Sequence, residues 1–301
     1  MKYEKPTVCV LDASTYVGFW ILKGLLDRGF TVHAATQKNG ETEIQKRIRD
    51  MEKEEERLVV FCVDVLDYHS IVLALKGCSA MLCCLDSPEG YEENMVDLEV
   101  RGAINVVEAC AQTQSVEKIV FSSSLAAAIW RDDISSEKDV DEKSWSDPEF
   151  CRKLKLWYAL AKTLSEQAAW ALSMDRMLKM VSINSGLVLG PSVAQQNPQT
   201  TISYLNGAAQ MYENGVLAFV DVDFVANVHI RALEDQSTCG RYLCFNHIVN
   251  TEDEAVKLAH SLTPLISLPP RYHYEGNEVH TERLRTNKLR KLVEGAAYLV
   301  L

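Results

Sequence analysis

The sequence predicts an α/β fold, a doubly wound parallel sheet with a smaller C-terminal lobe. Three observations carry the expectation. Short apolar runs alternate with helix-like segments through the first 125 residues, as in a parallel sheet covered on both faces. One such run ends in serines, at the sheet edge where open α/β folds place their ligands. The next long helical segment, 154–170, has no Gly or Pro and carries Tyr158 and, four residues on, Lys162.

Taken in order, residues 7–11 form a buried strand, followed by a helix over 17–28 that Gly29 closes. Strands are expected at 31–35, 59–63, 80–85 and 118–122, with helices over 41–57, 70–76 and 92–113. The run Glu52–Glu56 reads as a solvated face. Beyond the central helix come a strand at 180–183, a Gly190-Pro191 turn, mixed loop and helix over 192–215, a strand at 217–222, a helix over 225–233, a strand at 241–245 and a short basic helix over 287–293. The division expected is a dinucleotide-binding domain over 1–185 and a substrate lobe over 186–301. Segments near 217–245 would return to the main domain.

With 301 residues the chain can bury a substantial core. Its net charge of −11 argues against nucleic acid and anionic membranes as main partners. No apolar run approaches the roughly 20 residues of a membrane helix, and the N-terminus lacks a signal-peptide layout. Nine cysteines, an odd number without a Cys-x-x-Cys pair, suggest free thiols in a reducing cytosol and no metal. Cys9, Cys62, Cys83 and Cys84 lie in apolar runs and are expected to be buried.

A spacing of four puts Tyr158 and Lys162 on one helix face, and an ammonium there would lower the phenol pKa from about 10. A phenol so tuned can exchange a proton with a carbonyl or alcohol oxygen. Of eleven tyrosines, only Tyr158 has Lys four residues later. A serine of 122–124 could hold the same oxygen, or could simply end the strand.

The first strand–helix turn should cradle pyrophosphate on glycines and helix amides. In the spacing Gly-x-x-Gly-x-x-Gly, the positions here are Asp12, Thr15 and Gly18. An Asp12 carboxylate about 5 Å from a phosphate would repel it by roughly 3 kcal/mol at an effective dielectric of about 20. The Thr15 hydroxyl could offset part of that by bonding phosphate. After the second strand, Gln37-Lys38 offers a cation and no acid, which leans toward NADP. Asp64 could accept from an adenine amino group or cap a turn.

These features, with Asn94–Ser124, the stretch 145–151 and Trp157–Trp170, make the chain resemble plant extended short-chain dehydrogenase/reductases, closest to the cinnamoyl-CoA reductase-like subgroup. Leu187–Pro191 and Gly240–Cys244 also match. The resemblance implies a Rossmann-type fold and an NADPH-dependent carbonyl reductase. Tyr158 would be the proton donor, Ser124 would hold the carbonyl oxygen, and Lys162 would grip the nicotinamide ribose. Ser14, Tyr16, Val17, Val65, Leu187 and Val188 would join the residues above around the cofactor. Ile129, Trp130, Leu156 and Tyr204 would wall the substrate pocket. Groups that hold the CoA ester in the family align with Thr200, Ser203 and Thr251. A smaller phenylpropanoid aldehyde or ketone is therefore expected as substrate, with the enzyme a monomer or weak homodimer.

Overall fold

The computed structural model describes residues 5–37, 42–87, 90–132, 138–191, 198–262 and 281–294. The first half runs β1 (Thr7–Leu11), α1 (Tyr16–Asp27), β2 (Thr31–Gln37), α2 (Glu43–Glu54), β3 (Leu58–Val63), α3 (Tyr68–Leu75), β4 (Ala80–Cys83), α4 (Glu93–Gln112) and β5 (Lys118–Ser124). After α5 (Ala126–Ile129) and α6 (Pro148–Lys153) come α7 (Trp157–Asp175) and β6 (Lys179–Ser185). The last part contains β7 (Leu187–Leu189), α8 (Pro198–Tyr204), α9 (Ala208–Glu213), β8 (Ala218–Asp221), α10 (Val222–Glu234), β9 (Gly240–Cys244), β10 (His247–Ile248), α11 (Glu252–Ser261) and α12 (Asn287–Glu294).

Seven strands form a parallel sheet in the order β3-β2-β1-β4-β5-β6-β9. The chain reverses direction across the sheet between β1 and β4, and this switch point opens a crevice at the strand carboxyl ends. Alternation along β1 divides the core. Val8 and Val10 face one hydrophobic layer with α1 and α10, and Cys9 and Leu11 face another with α3 and α4. A second sheet, β10-β8-β7, sits beside the main one, so β9 returns to the large sheet while β8 does not.

Local chemistry sets the element ends. Thr15 caps α1, and Gly29 at φ 85° takes the left-handed turn after it. Thr42 and Gln45 close a capping box that starts α2 at Glu43. The central helix begins at Trp157, not at 154. Residues 148–153 form a separate short helix capped by Asp147, and Lys155 at φ 56° turns the chain between the two. Cys62 is exposed, contrary to expectation, because β3 is the edge strand; Cys9, Cys83 and Cys84 are buried. The basic helix α12 packs on the main body, where the Lys288 ammonium reaches the Arg241 carbonyl at 3.0 Å and lies 4.1 Å above the Tyr242 ring. No described helix is long and apolar enough to cross a membrane.

Candidate active site

A cleft of about 720 Å³ opens at the carboxyl ends of β1, β4, β5 and β6. At one end stands the turn that should cradle phosphate. Thr15, Tyr16 and Val17 reach the cleft there, while Asp12 does not. The Asp12 carboxylate turns back on its own loop and accepts from the Ser14 amide at 2.7 Å and the Ser14 hydroxyl at 2.5 Å. Burial raises its carboxyl from 3.8 to about 6, against lowering by the Ser14 bonds and by Gln37, while Asp86 adds repulsion. The Thr15 hydroxyl is engaged within its own turn. It donates to the Asp12 carbonyl and accepts from the Gly18 amide, as an N-cap does. A Cβ at Gly18 would overlap the Asp12 carbonyl oxygen, so the close turn depends on glycine there.

At the other end, β5 and α7 bring Ser124 and Tyr158 together. Ser122 and Ser123 reach the cleft wall, and Ser124 lies just behind, 1% exposed. The Ser124 hydroxyl accepts from the Ala126 amide at 3.2 Å, donates to the Ser185 carbonyl at 3.4 Å and lies close enough to the Tyr158 phenol to influence its proton. Burial is the main cause that holds this phenol well above its usual range, followed by the Asp86 carboxylate; the nearby Ser124 hydroxyl opposes the shift and Glu99 adds to it. The lowering expected from Lys162 is not found.

The reason lies at Lys162. Its ammonium donates to the Leu85 carbonyl at 2.7 Å and to Glu99 of α4 at 3.2 Å. Both side chains of that pair are 6% exposed, and Asp86 stands 4.0 Å from the same nitrogen. Tyr91 donates toward Asp86 and Glu99 and lies edge-on to Tyr158 at 4.9 Å. Thr200 donates to the other Asp86 oxygen at 2.9 Å. The positive charge is thus already matched by carboxylate before any ligand arrives.

One turn further along α7, Glu166 is fully buried. It accepts from Ser123 at 2.7 Å, Ser182 at 2.6 Å, Asn184 at 2.7 Å and Arg241 of β9 at 2.8 Å. Asn184 also donates to the Ser124 carbonyl at 3.3 Å. The Arg241 guanidinium stacks 3.8 Å above the Trp145 ring. This brace fixes the face of α7 against the strand ends that carry the serines.

Other expected site residues lie elsewhere. Ile129, Trp130 and Leu156 are buried in a further hydrophobic cluster among α7, α9 and the small sheet, and do not line the cleft. Trp130 is held by Gly207, whose missing Cβ and φ of 87° leave room for the indole. Tyr204 does reach the cleft, and its hydroxyl donates to the Ala218 carbonyl at 3.3 Å. Leu187 and Val188 reach the cleft wall as well. Asp64 caps its own turn through the Leu66 amide at 2.9 Å, and the Val65 side chain packs over Gly102. The side chain of Gln37 is turned to Asp12, and Lys38 lies outside the described residues. Thr251 caps α11.

Sequence reading passed over Asp86, Tyr91, Glu99, Glu166 and Arg241. Glu166 was open to it, four residues after Lys162 on the same helix face. Asp86 follows a strand at the ligand edge. Glu99 sits between Val96 and Ala103 on the buried face of α4, an acid where the helix pattern asks for an apolar residue.

Comparison with known proteins agrees with this architecture. Residues 9–242 match the 3-beta hydroxysteroid dehydrogenase/isomerase family. Cinnamoyl-CoA reductase 1 of Petunia hybrida is 35% identical over 270 residues, covering 87% of this chain and 79% of that protein. Among solved structures, vestitone reductase from alfalfa superposes with a TM-score of 0.71 at 24% identity, covering 96% of this chain and 92% of that one. A yeast methylglyoxal/isovaleraldehyde reductase complexed with NADPH superposes at 0.70 and 18% identity, covering 96% and 93%. The chain belongs to the 3-beta hydroxysteroid dehydrogenase/isomerase family, a branch of the extended short-chain dehydrogenase/reductases.

Proposed function

We propose that the protein is an NADPH-dependent reductase of a phenylpropanoid-type aldehyde or ketone, with Ser124, Tyr158 and Lys162 as its catalytic set. The observation that supports this most is the meeting of Ser124 and Tyr158 beside the cleft, with Lys162 one helical turn along α7. The cleft residues fit a dinucleotide: backbone at 15–17 and the α1 N-terminus suit phosphate, and Leu187 and Val188 suit an apolar ring. NADPH, when bound, supplies the hydride. Tyr158 gives the proton to the carbonyl oxygen, and Ser124 holds that oxygen beside the phenol. A buried phenol that keeps its proton is the form that reduction consumes.

The second reading is cinnamoyl-CoA reduction, supported by the Petunia relative. Against it, Thr200 is bound to Asp86 and Thr251 is a helix cap, so neither offers charge to an anionic CoA ester. Comparing kcat/KM for coniferaldehyde and feruloyl-CoA with NADPH decides between them. The aldehyde is expected to be turned over faster, and preference for the thioester would overturn that order.

A further inference from the structure

Glu99 is a buried carboxylate that the proposed chemistry does not use. It receives three donors: Lys162, Tyr91 and the Ser165 hydroxyl, the last at 3.1 Å. An ammonium has three hydrogens. Here the Leu85 carbonyl and Glu99 take two of them; Glu99 does not line the cleft, whereas Leu85 and Lys162 itself do. The other charged or titratable groups around this nitrogen are Asp86, Cys83 and Cys84, from β4 and the segment after it, and the phenols of Tyr91 and Tyr158. Glu99 is the nearest of the carboxylates, at 3.1 Å against 4.0 Å for Asp86.

We propose that Glu99 is a positioning residue acting through Lys162: it anchors the ammonium from behind, aims its remaining N–H into the cleft, and cancels the charge the lysine would otherwise bring to a nicotinamide. The inference rests on the reductase reading for its consequence but not for its geometry. The oxidised nicotinamide ring carries a positive charge and the reduced ring does not. A bare ammonium beside that ring disfavours the oxidised form, and a neutralised one does not. Glu99 thereby eases formation of the oxidised cofactor and makes the bound reduced form a better hydride donor.

The test is the ratio of dissociation constants for NADP⁺ and NADPH, measured by isothermal titration. Glu99→Gln keeps the shape and removes the charge, and is expected to weaken NADP⁺ relative to NADPH roughly tenfold. Glu99→Asp, which restores the charge, returns the ratio to within about twofold of wild type. Structural damage alone would weaken both forms together, so an unchanged ratio in Glu99→Gln overturns the proposal. Should that variant fail to fold, the double variant Glu99→Gln/Lys162→Met carries the test. With both charges gone its ratio must match wild type, and a tenfold departure overturns the claim. Nitrogen-15 NMR of the lysine ammonium groups, without cofactor, separates this idea from the reductase reading. The Lys162 signal is expected in wild type and lost in Glu99→Gln, and its persistence in the variant overturns the anchoring. If wild type binds neither cofactor form, the reductase reading falls, and the ammonium signal still decides the role of Glu99.

Discussion

Helix α7 carries two buried ion pairs of opposite sense one turn apart, and they differ in what else they can meet. At Glu166 the carboxylate belongs to the helix and Arg241 comes from β9; every partner is protein, and the pair is sealed beneath the serine strand. At Lys162 the ammonium belongs to the helix and Glu99 comes from α4, yet that ammonium also borders the cleft. The sealed pair sets the position of β5 and β6 against α7. The open pair holds a neutralised ammonium at the cleft wall. Similar chemistry thus does structural work in one place and prepares a functional group in the other.

The largest effect expected is on the sealed side. Arg241→Met leaves Glu166 as an uncompensated buried charge and should cost about 3–5 kcal/mol in chemical denaturation. A loss below about 1 kcal/mol would show that the serine strand does not depend on this brace.

A smaller effect contrasts both pairs with Asp12, a buried carboxylate with no cation beside it among the described residues. Its folded carboxyl sits near 6 against an ordinary 3.8. A raised value means the fold prefers the protonated acid. The stability this group lends is therefore full below about pH 4 and is lost as pH rises through 6. Asp12→Asn should be more stable than wild type at pH 8 by ~1–3 kcal/mol, with the advantage gone at pH 4. Thermal denaturation across that range checks it, and a pH-independent difference would contradict the assignment. The smallest effect belongs to Thr251. As the cap of α11, its change to Ala should cost about 1 kcal/mol and leave substrate preference untouched. A marked change in thioester turnover would instead place Thr251 at the substrate.

Much of the frame was legible before any coordinates. Buried parallel strands read as short apolar runs, which is why β1 to β6 fell near their expected places. The Tyr158/Lys162 pair was legible because helical periodicity alone puts both on one face. What surrounds them was not. Asp86 and Glu99 reach Lys162 from segments 76 and 63 residues away in sequence, and no local spacing reports such a meeting. The expectation that Lys162 lowers the Tyr158 pKa failed chiefly because the phenol is buried, and further because the fold adds the Asp86 and Glu99 carboxylates where the spacing showed only the lysine. Trp130 and Leu156 were taken for pocket walls because aromatic and aliphatic side chains suit both a pocket and a core. Their burial is decided by α9 and the second sheet, which the sequence barely announces. The break before Trp157 escaped notice because Lys155 adopts a left-handed turn without the glycine that usually marks one.

The central claim is that the Tyr158 phenol delivers the proton. Tyr158→Phe removes that one oxygen from a wall whose other groups remain. Turnover of coniferaldehyde, followed by loss of NADPH absorbance, is expected to fall by about 10³-fold or more, with NADPH affinity within about twofold of wild type. A variant that still reduced the aldehyde at a near wild-type rate would contradict the account.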